Sequence, residues 1–224
     1  MIALSRTGGL RLPQFHEELE IDGDGTFRMW RSVSKASELP SPIGRFAGRV
    51  AASKRDALNE AALRAKGEGS RTWLISPDSP VDRFDVDGVN ATLGIHHPGE
   101  GTWQDLAALV RPLLRELTDS PLAAIALELN GGATLVHQGT QPLTLDLSSL
   151  AVRADQWRDG QSLARWTAPS PGSGKGEVIA KPGWKLNVPF EHGFDVQPGD
   201  RVTADVTFAA RDGDRLIPVG LQTP

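Results

Sequence analysis

Cysteine is absent from this chain, and so is tyrosine. The first absence excludes disulfides, thiolate metal sites and a thiol nucleophile together. The second removes any site that depends on a phenol. No apolar run approaches the roughly 18–20 residues that a membrane-spanning helix needs. The opening Met1–Gly9 stretch has no basic segment leading into an apolar one, so no secretory leader is expected. Clustered positive charge is lacking as well. The 24 Lys and Arg are dispersed among 28 Asp and Glu, for a formal net charge of −4. A surface that tracks phosphates needs clustered positive charge. The expectation is therefore a cytoplasmic protein with neither nucleic acid nor a membrane as partner.

What the chain does contain is enough for two ordinary domains. It has 224 residues, 39% of them hydrophobic. Ile2–Ser5 reads as a strand. Glu17–Asp22 and Thr26–Ser32 flank Gly23-Asp24-Gly25, and acidic and glycine residues that tolerate positive φ make this a hairpin signal. Phe27, Met29 and Arg31 share one strand face and Arg28 and Trp30 the other, so cover on both sides is expected. Residues 34–48, rich in Ser, Pro and Gly, read as a long loop. Ser53–Lys66 is helical, with Ser53 as cap, a stripe of small residues at Ala57, Leu58, Ala61, Ala62 and Ala65, and Gly67 as its end. Short strands follow at Trp73–Ser76, Asp82–Asp87 and Asn90–His96, with Asp87-Gly88 as a turn.

The clearest helix is Thr102–Leu117, capped by Thr102. Trp103, Leu106, Leu109, Val110, Leu113, Leu114 and Leu117 recur at spacings of three and four, and Pro112 is expected to kink or split it. Leu122–Leu129 reads as a strand running to Asn130-Gly131-Gly132, the expected domain boundary. Beyond it the helical period vanishes. Strands are expected at 133–138, 143–153, 162–167, 177–180, 184–190, 201–210 and 214–219. Leu143, Leu145 and Leu147 alternate with Thr144 and Asp146, and Val202, Ala204, Val206 and Phe208 alternate with Thr203, Asp205 and Thr207. Strict alternation with one polar face marks antiparallel sheets on a core.

Several groupings suggest chemistry and fail on inspection. Gly172-Ser173-Gly174-Lys175-Gly176 lacks the first glycine of a phosphate loop and has Gly176 where that motif needs a hydroxyl. It reads as part of a loop over 168–176. Asp22-Gly23-Asp24-Gly25 is broken as a calcium loop by Thr26-Phe27. His96, His97 and Glu100 could supply zinc ligands, but neighbouring histidines on a strand point to opposite faces. No Gly-x-Ser-x-Gly elbow is present, and His137 lies on an expected strand as a structural residue. No catalytic residue, cofactor or metal is assigned. Among the six tryptophans, Trp103 and Trp184 sit in apolar phase and are expected in the core. Trp157 and Trp166, in a polar neighbourhood with Arg165, are candidate partner contacts together with Trp30. Phe27, Met29 and Trp30 could also form an exposed apolar patch.

Ile2-Ala3-Leu4-Ser5-Arg6-Thr7-Gly8-Gly9-Leu10 leads into Glu18-Leu19-Glu20-Ile21-Asp22-Gly23-Asp24-Gly25, then an Ala- and Leu-rich helix, Asp87-Gly88 and a Leu-rich helix. Over about residues 1–117 this order resembles the emfourin family of small bacterial proteins, with Leu10 where that family tends to carry an aromatic residue. The resemblance implies inhibition of protealysin, a thermolysin-like metalloprotease. No functional residue is carried over. The second half is similar in pattern to immunoglobulin-like sandwiches of bacterial binding proteins, intracellular proteinase inhibitors among them.

The expected architecture is an α+β domain over 1–130, an antiparallel sheet with two helices, followed by an all-β, immunoglobulin-like sandwich over 131–224. The expected function is a non-enzymatic protein-binding or regulatory protein, with protease inhibition through the loops 34–48 and 168–176 as its sharpest version. The alternatives are a structural subunit of a larger assembly and a hydrolase.

Overall fold

The computed structural model describes residues 1–8, 15–33, 42–75, 79–95, 101–129, 132–168, 176–188, 190, 192–212 and 215–222. Over these described residues it is largely β with two α-helices. The chain divides into two compact units, one formed by Met1–Arg31 and Arg45–Leu122, the other by Ser32–Gly44 and Ala123–Pro224.

In the first unit, strands β1 (Ile2–Thr7), β2 (Phe15–Ile21), β3 (Thr26–Val33), β4 (Ile43–Arg49), β5 (Arg71–Thr72), β6 (Val81–Val86) and β7 (Val89–Gly94) lie in the order β4-β3-β2-β1-β6-β7-β5. β1 pairs antiparallel with β2 and β6, and β5 joins β7 in parallel. Period two places Ile2 and Leu4, Leu19 and Ile21, Phe27 and Met29, and Phe84 and Val86 in the core. Helices α1 (Ala52–Glu68) and α2 (Thr102–Glu116) pack on each other, and α1 buries its stripe of Leu58, Ala61, Ala62 and Ala65.

At one end of this core the apolar rows give way to charge. Arg6 stands opposite Glu17 on one side and Asp82 on the other. Its guanidinium meets Asp82 at 2.7 Å and Glu17 at 3.6 Å. Arg111 of α2 reaches Asp82 at 2.8 Å, and Arg31 pairs with Glu17 at 2.6 Å while donating to the Leu114 carbonyl. Each buried carboxylate thus has two guanidinium partners, the condition under which a buried charge is tolerated.

Both hairpin turns follow the sequence. Gly25 adopts φ 86°, and the Asp24 carboxylate accepts from the Thr26 backbone N–H and hydroxyl and from Arg49, so it closes a turn. Asp87 and Gly88 both take positive φ between β6 and β7, as a two-residue hairpin turn requires.

The helix ends depart from expectation. α1 begins after Ala51, which offers no side-chain cap, with Ser53 inside the first turn, and it runs past Gly67 to end at Gly69. α2 follows Gly101, and Thr102 donates its backbone N–H and hydroxyl to the Glu68 carboxylate at the end of α1. These donations hold Glu68 below the usual carboxylate range. A carboxylate from a neighbouring helix thus satisfies an orphan donor at the positive end of α2. Pro112 neither splits nor ends α2. Pro112 and Ala108, whose carbonyl loses its partner, both lie on the exposed side, so the missing bond falls outside the core.

Part of the expected 34–48 loop is strand β4, with Ile43 and Phe46 buried; residues 34–41 lie outside the described set. The Trp73–Ser76 strand is also corrected, because pairing stops at Thr72 and Trp73 keeps only a backbone bond to Thr92.

The second unit is built of antiparallel strands. β8 (Pro121–Leu129), β9 (Ala133–Gly139) and β13 (Lys185–Val188) pair in the order β13-β9-β8. β10 (Leu143–Arg158), β11 (Gln161–Thr167), β14 (Arg201–Asp212) and β15 (Arg215–Gln222) form a sheet in the order β11-β10-β14-β15, with β12 (Glu177–Ala180) also on β10. β10 is longer than expected and contains an irregularity. Asp146 faces Ala209 and Ala151 faces Thr207, so five steps along β10 span two along β14. The odd excess inverts the alternation. Leu143, Leu145 and Leu147 are buried before it, and Leu150, Val152 and Ala154 after it. The Asp146 carboxylate accepts from the Ser148 backbone and hydroxyl and fixes the bend.

Gly44 has φ 132°, and a Cβ there would stand 2.3 Å from the Ala123 carbonyl oxygen. Neither backbone can yield without breaking strand geometry. Gly44→Ala is expected to cost about 3 kcal/mol or more, read as a lowered urea midpoint; an unchanged midpoint would contradict this close approach.

Candidate functional site

Alternation along β10 and β14 gathers one set of side chains on one face of their sheet. Past the irregularity, β10 sends Arg153, Asp155 and Trp157 to this face, and β14 sends Arg201, Thr203, Asp205 and Thr207. β11 adds Arg165 and Thr167, opposite Asp155 and Arg153. The opposite face carries Val152, Ala154, Ala204, Val206 and Phe208 into the core.

The polar face is organised from beneath by two carboxylates. Asp155 and Asp205 have side chains only 2% and 5% exposed, whereas Arg153 and Arg165 are 43% and 58% exposed. Arg153 bridges the two carboxylates, with Nε 3.0 Å from Asp155 and Nη2 on Asp205. Arg165 donates from Nε to the other oxygen of Asp155 at 2.7 Å. Trp157 donates its indole N–H to the Thr203 hydroxyl at 3.1 Å, which fixes the ring beside the arginines. Arg201, opposite Trp157, is exposed and makes no ion pair among the described residues. The face therefore buries its acids and shows solvent arginines and an indole.

One carboxylate oxygen, Oδ1 of Asp205, is buried without a hydrogen-bond partner among the described residues. Burial pushes the Asp205 carboxyl above its ordinary value of 3.8, against the pull of Arg153 and with repulsion from Asp155 adding to the rise. At the end of the same strands, Asp200 accepts from Arg158 at 2.6 Å, from the Gln197 backbone and from Gln156. Arg158 above all holds that carboxyl below the usual carboxylate range.

Of the four contacts expected from sequence, two come together here: Trp157 and Arg165. Trp166 follows Arg165 on β11 and so points to the other face. There it meets Phe190 edge-on at 6.4 Å and begins a row that continues through His192 to Phe194. Trp30 is corrected as a surface contact: it is 7% exposed, and Phe27 and Met29 are buried with it, so these three form no exposed patch. Trp103 is wholly buried, as expected, and Trp184 is half-buried.

Arg153, Asp155, Arg201 and Asp205 were not singled out in the sequence. Their signal was the alternation itself, which places Arg153, Asp155 and Trp157 at every second position of one strand and a charged or hydroxyl residue at every second position from 201 to 207 of the other.

His96, His97 and Glu100 lie outside the described residues. Among the described residues no three His, Asp or Glu side chains stand close enough to hold a metal ion. His137 is 4% exposed on β9, and neither ring nitrogen has a well-aligned hydrogen-bond partner. Burial lowers its pKa, opposed weakly by the nearby Gln141 backbone. No helix of the described residues is long and apolar enough to cross a membrane. No family model, curated protein or solved structure matches this chain.

The raised Asp205 pKa has a sign that can be checked. The folded chain holds this proton more tightly than the unfolded one, so the group's contribution to stability falls as pH rises from 3.8 through the raised value. Asp205→Asn lacks that slope. Its urea midpoint should gain on the wild type as pH rises through that window, and the opposite trend would contradict the burial argument. For His137 the window lies higher. Its contribution is full above the ordinary value of 6.5 and is lost as pH falls from there through the lowered pKa. His137→Phe should flatten this acid loss of stability, measured by the same urea titration.

Proposed function

We propose that this chain is a non-enzymatic protein-binding or regulatory protein whose contact surface is the outward face of β10, β11 and β14. The observation that carries the reading is the meeting of Trp157, Arg153, Arg165 and Arg201 on one sheet face above buried carboxylates. Tryptophan and arginine are the residues most enriched among binding hot spots. Here both are already held in place, so little side-chain freedom is lost on contact. Interface arginines also tolerate desolvation better than lysines, because their charge is spread over a planar fork.

In this reading the second unit is an immunoglobulin-like sandwich. The antiparallel β11-β10-β14-β15 sheet and the apolar inner rows of β10 and β14 support that description. Protease inhibition is the sharpest version of the function, and its support is the resemblance of about residues 1–117 to the emfourin family. Of the two loops expected to serve it, residues 43–48 belong to β4, and 34–41 and 169–175 lie outside the described residues.

One observation favours the structural-subunit alternative. Leu74, just past the edge strand β5, is 99% exposed, an apolar side chain beside a sheet edge that no strand of the described residues pairs.

The test is capture of partners from lysate with the wild type, Trp157→Ala and Arg165→Glu. A partner lost with both variants, at a cost of about 2 kcal/mol or more each, is the expected result; circular dichroism should show both variants folded. A partner retained by both variants, or no partner at all, would overturn the assignment of this face.

A further inference from the structure

β11 stands at the end of its sheet, and among the described residues no strand pairs with its outer edge. Which backbone groups it leaves open follows from one bond. Ala168 donates its N–H to the Val152 carbonyl, so its backbone faces β10. Backbone groups alternate sides along a strand, so Trp166 also faces β10, while Arg165 and Thr167 turn their N–H and C=O groups away from it. The register agrees: Arg165 stands opposite Asp155 and Thr167 opposite Arg153 without exchanging backbone bonds, and both residues are exposed.

Open edges of this kind are commonly blunted by proline, lysine or a bulge. β11 contains neither proline nor lysine. Its irregularity lies near its start, opposite Gln156 and Trp157, and leaves Ala164–Thr167 regular. The edge is therefore able to accept an extended strand.

Charge selects the occupant. Arg165 is the one charged residue of Gln161–Thr167. Its Nε is committed to Asp155, which fixes the guanidinium plane, while its two terminal nitrogens make no bond among the described residues. A strand added beside β11 would set a side chain directly across from this fork, and a carboxylate matches it in charge and geometry. Exposed Arg201 adds further positive charge to the same face. A second copy of this chain does not fit through β11, which has no acidic residue to offer and would bring arginine toward arginine.

We infer that the outer edge of β11 binds an extended, acidic segment of a partner protein by strand addition, with the Arg165 and Thr167 backbones supplying the ladder and the Arg165 guanidinium selecting carboxylates. This rests on the binding-face reading and names the chemistry of its partner.

The probe is a short fluorescent peptide of alternating glutamate and threonine. It is compared with its lysine analogue, with the same glutamate peptide N-methylated at alternate amides, and with single-stranded oligothymidine, all read by anisotropy on the full chain. The glutamate peptide is expected to bind, the other three not. Arg165→Glu should weaken it about tenfold or more and confer binding of the lysine analogue. Thr167→Pro should abolish binding while the chain stays folded, because that N–H makes no internal bond. Equal binding of the N-methylated peptide to the wild type overturns strand addition without recourse to any variant. Binding of oligothymidine, equal binding of the lysine analogue, or a folded Thr167→Pro variant that binds as before overturns it also. Lysate capture that depends on Arg165 but not on Thr167→Pro leaves the binding face standing and removes the edge mechanism; capture that depends on neither removes both.

Discussion

Asp155 and Asp205 have almost no access to water, and two neighbouring strands place them on the same sheet face. A buried carboxylate is costly without a partner. Arg153 spans them and Arg165 closes the far side of Asp155, so the charges are matched within the face. The exposed chemistry follows from this. Arg165 is held through its Nε on Asp155, Arg153 is held by its ion pairs to both carboxylates, and Trp157 is tied to Thr203 on the same face. A face built from surface lysines and glutamates would be mobile and screened by salt. Here, burial of the acids converts two flexible cations into fixed donors.

The first unit solves a related problem differently. Its alternating chain of Arg31, Glu17, Arg6, Asp82 and Arg111 is largely buried and ends on α2, with Arg31 only 3% exposed at the side chain and Arg111 23%. Nothing there is turned outward for a partner in the way Arg165 is. The same pairing of guanidinium and carboxylate thus fixes the seat of a helix in one unit and the orientation of a surface in the other.

Much of the architecture was legible where the signal was local. Asp87-Gly88 and Asp22–Gly25 announced their turns because few other residues accept positive φ. The Trp103–Leu117 spacing announced α2, which runs through Pro112 with that residue and Ala108 on its exposed side. Features that depend on distant partners were hidden. Gly44 and Gly48 look like loop residues, yet Gly44 lies in a strand and is glycine because the backbone at Ala123 and Ala124 passes too close for a side chain. Thr102 looks like a cap for its own helix, but its partner is Glu68, which is distant in sequence. The alternation of Asp205 with apolar neighbours placed it on the polar face. Its burial could not be read, because burial depends on which strand brings Arg153 across it.

The irregularity in β10 sets more than the length of a strand. Five steps on one strand against two on its partner leave an odd remainder, and only that parity lets a strand that begins with buried leucines at odd positions finish with Arg153, Asp155 and Trp157 at odd positions facing out. The segment around Ser148 and Ser149 is therefore a hinge of phase, not of angle. Losing or gaining a single residue there would exchange the two faces of everything downstream on the strand, turning guanidinium and indole inward and valine and alanine to water. Changes by two residues would preserve the arrangement. Drift in loop length, tolerated at most surface positions, is thereby confined at this one to even steps.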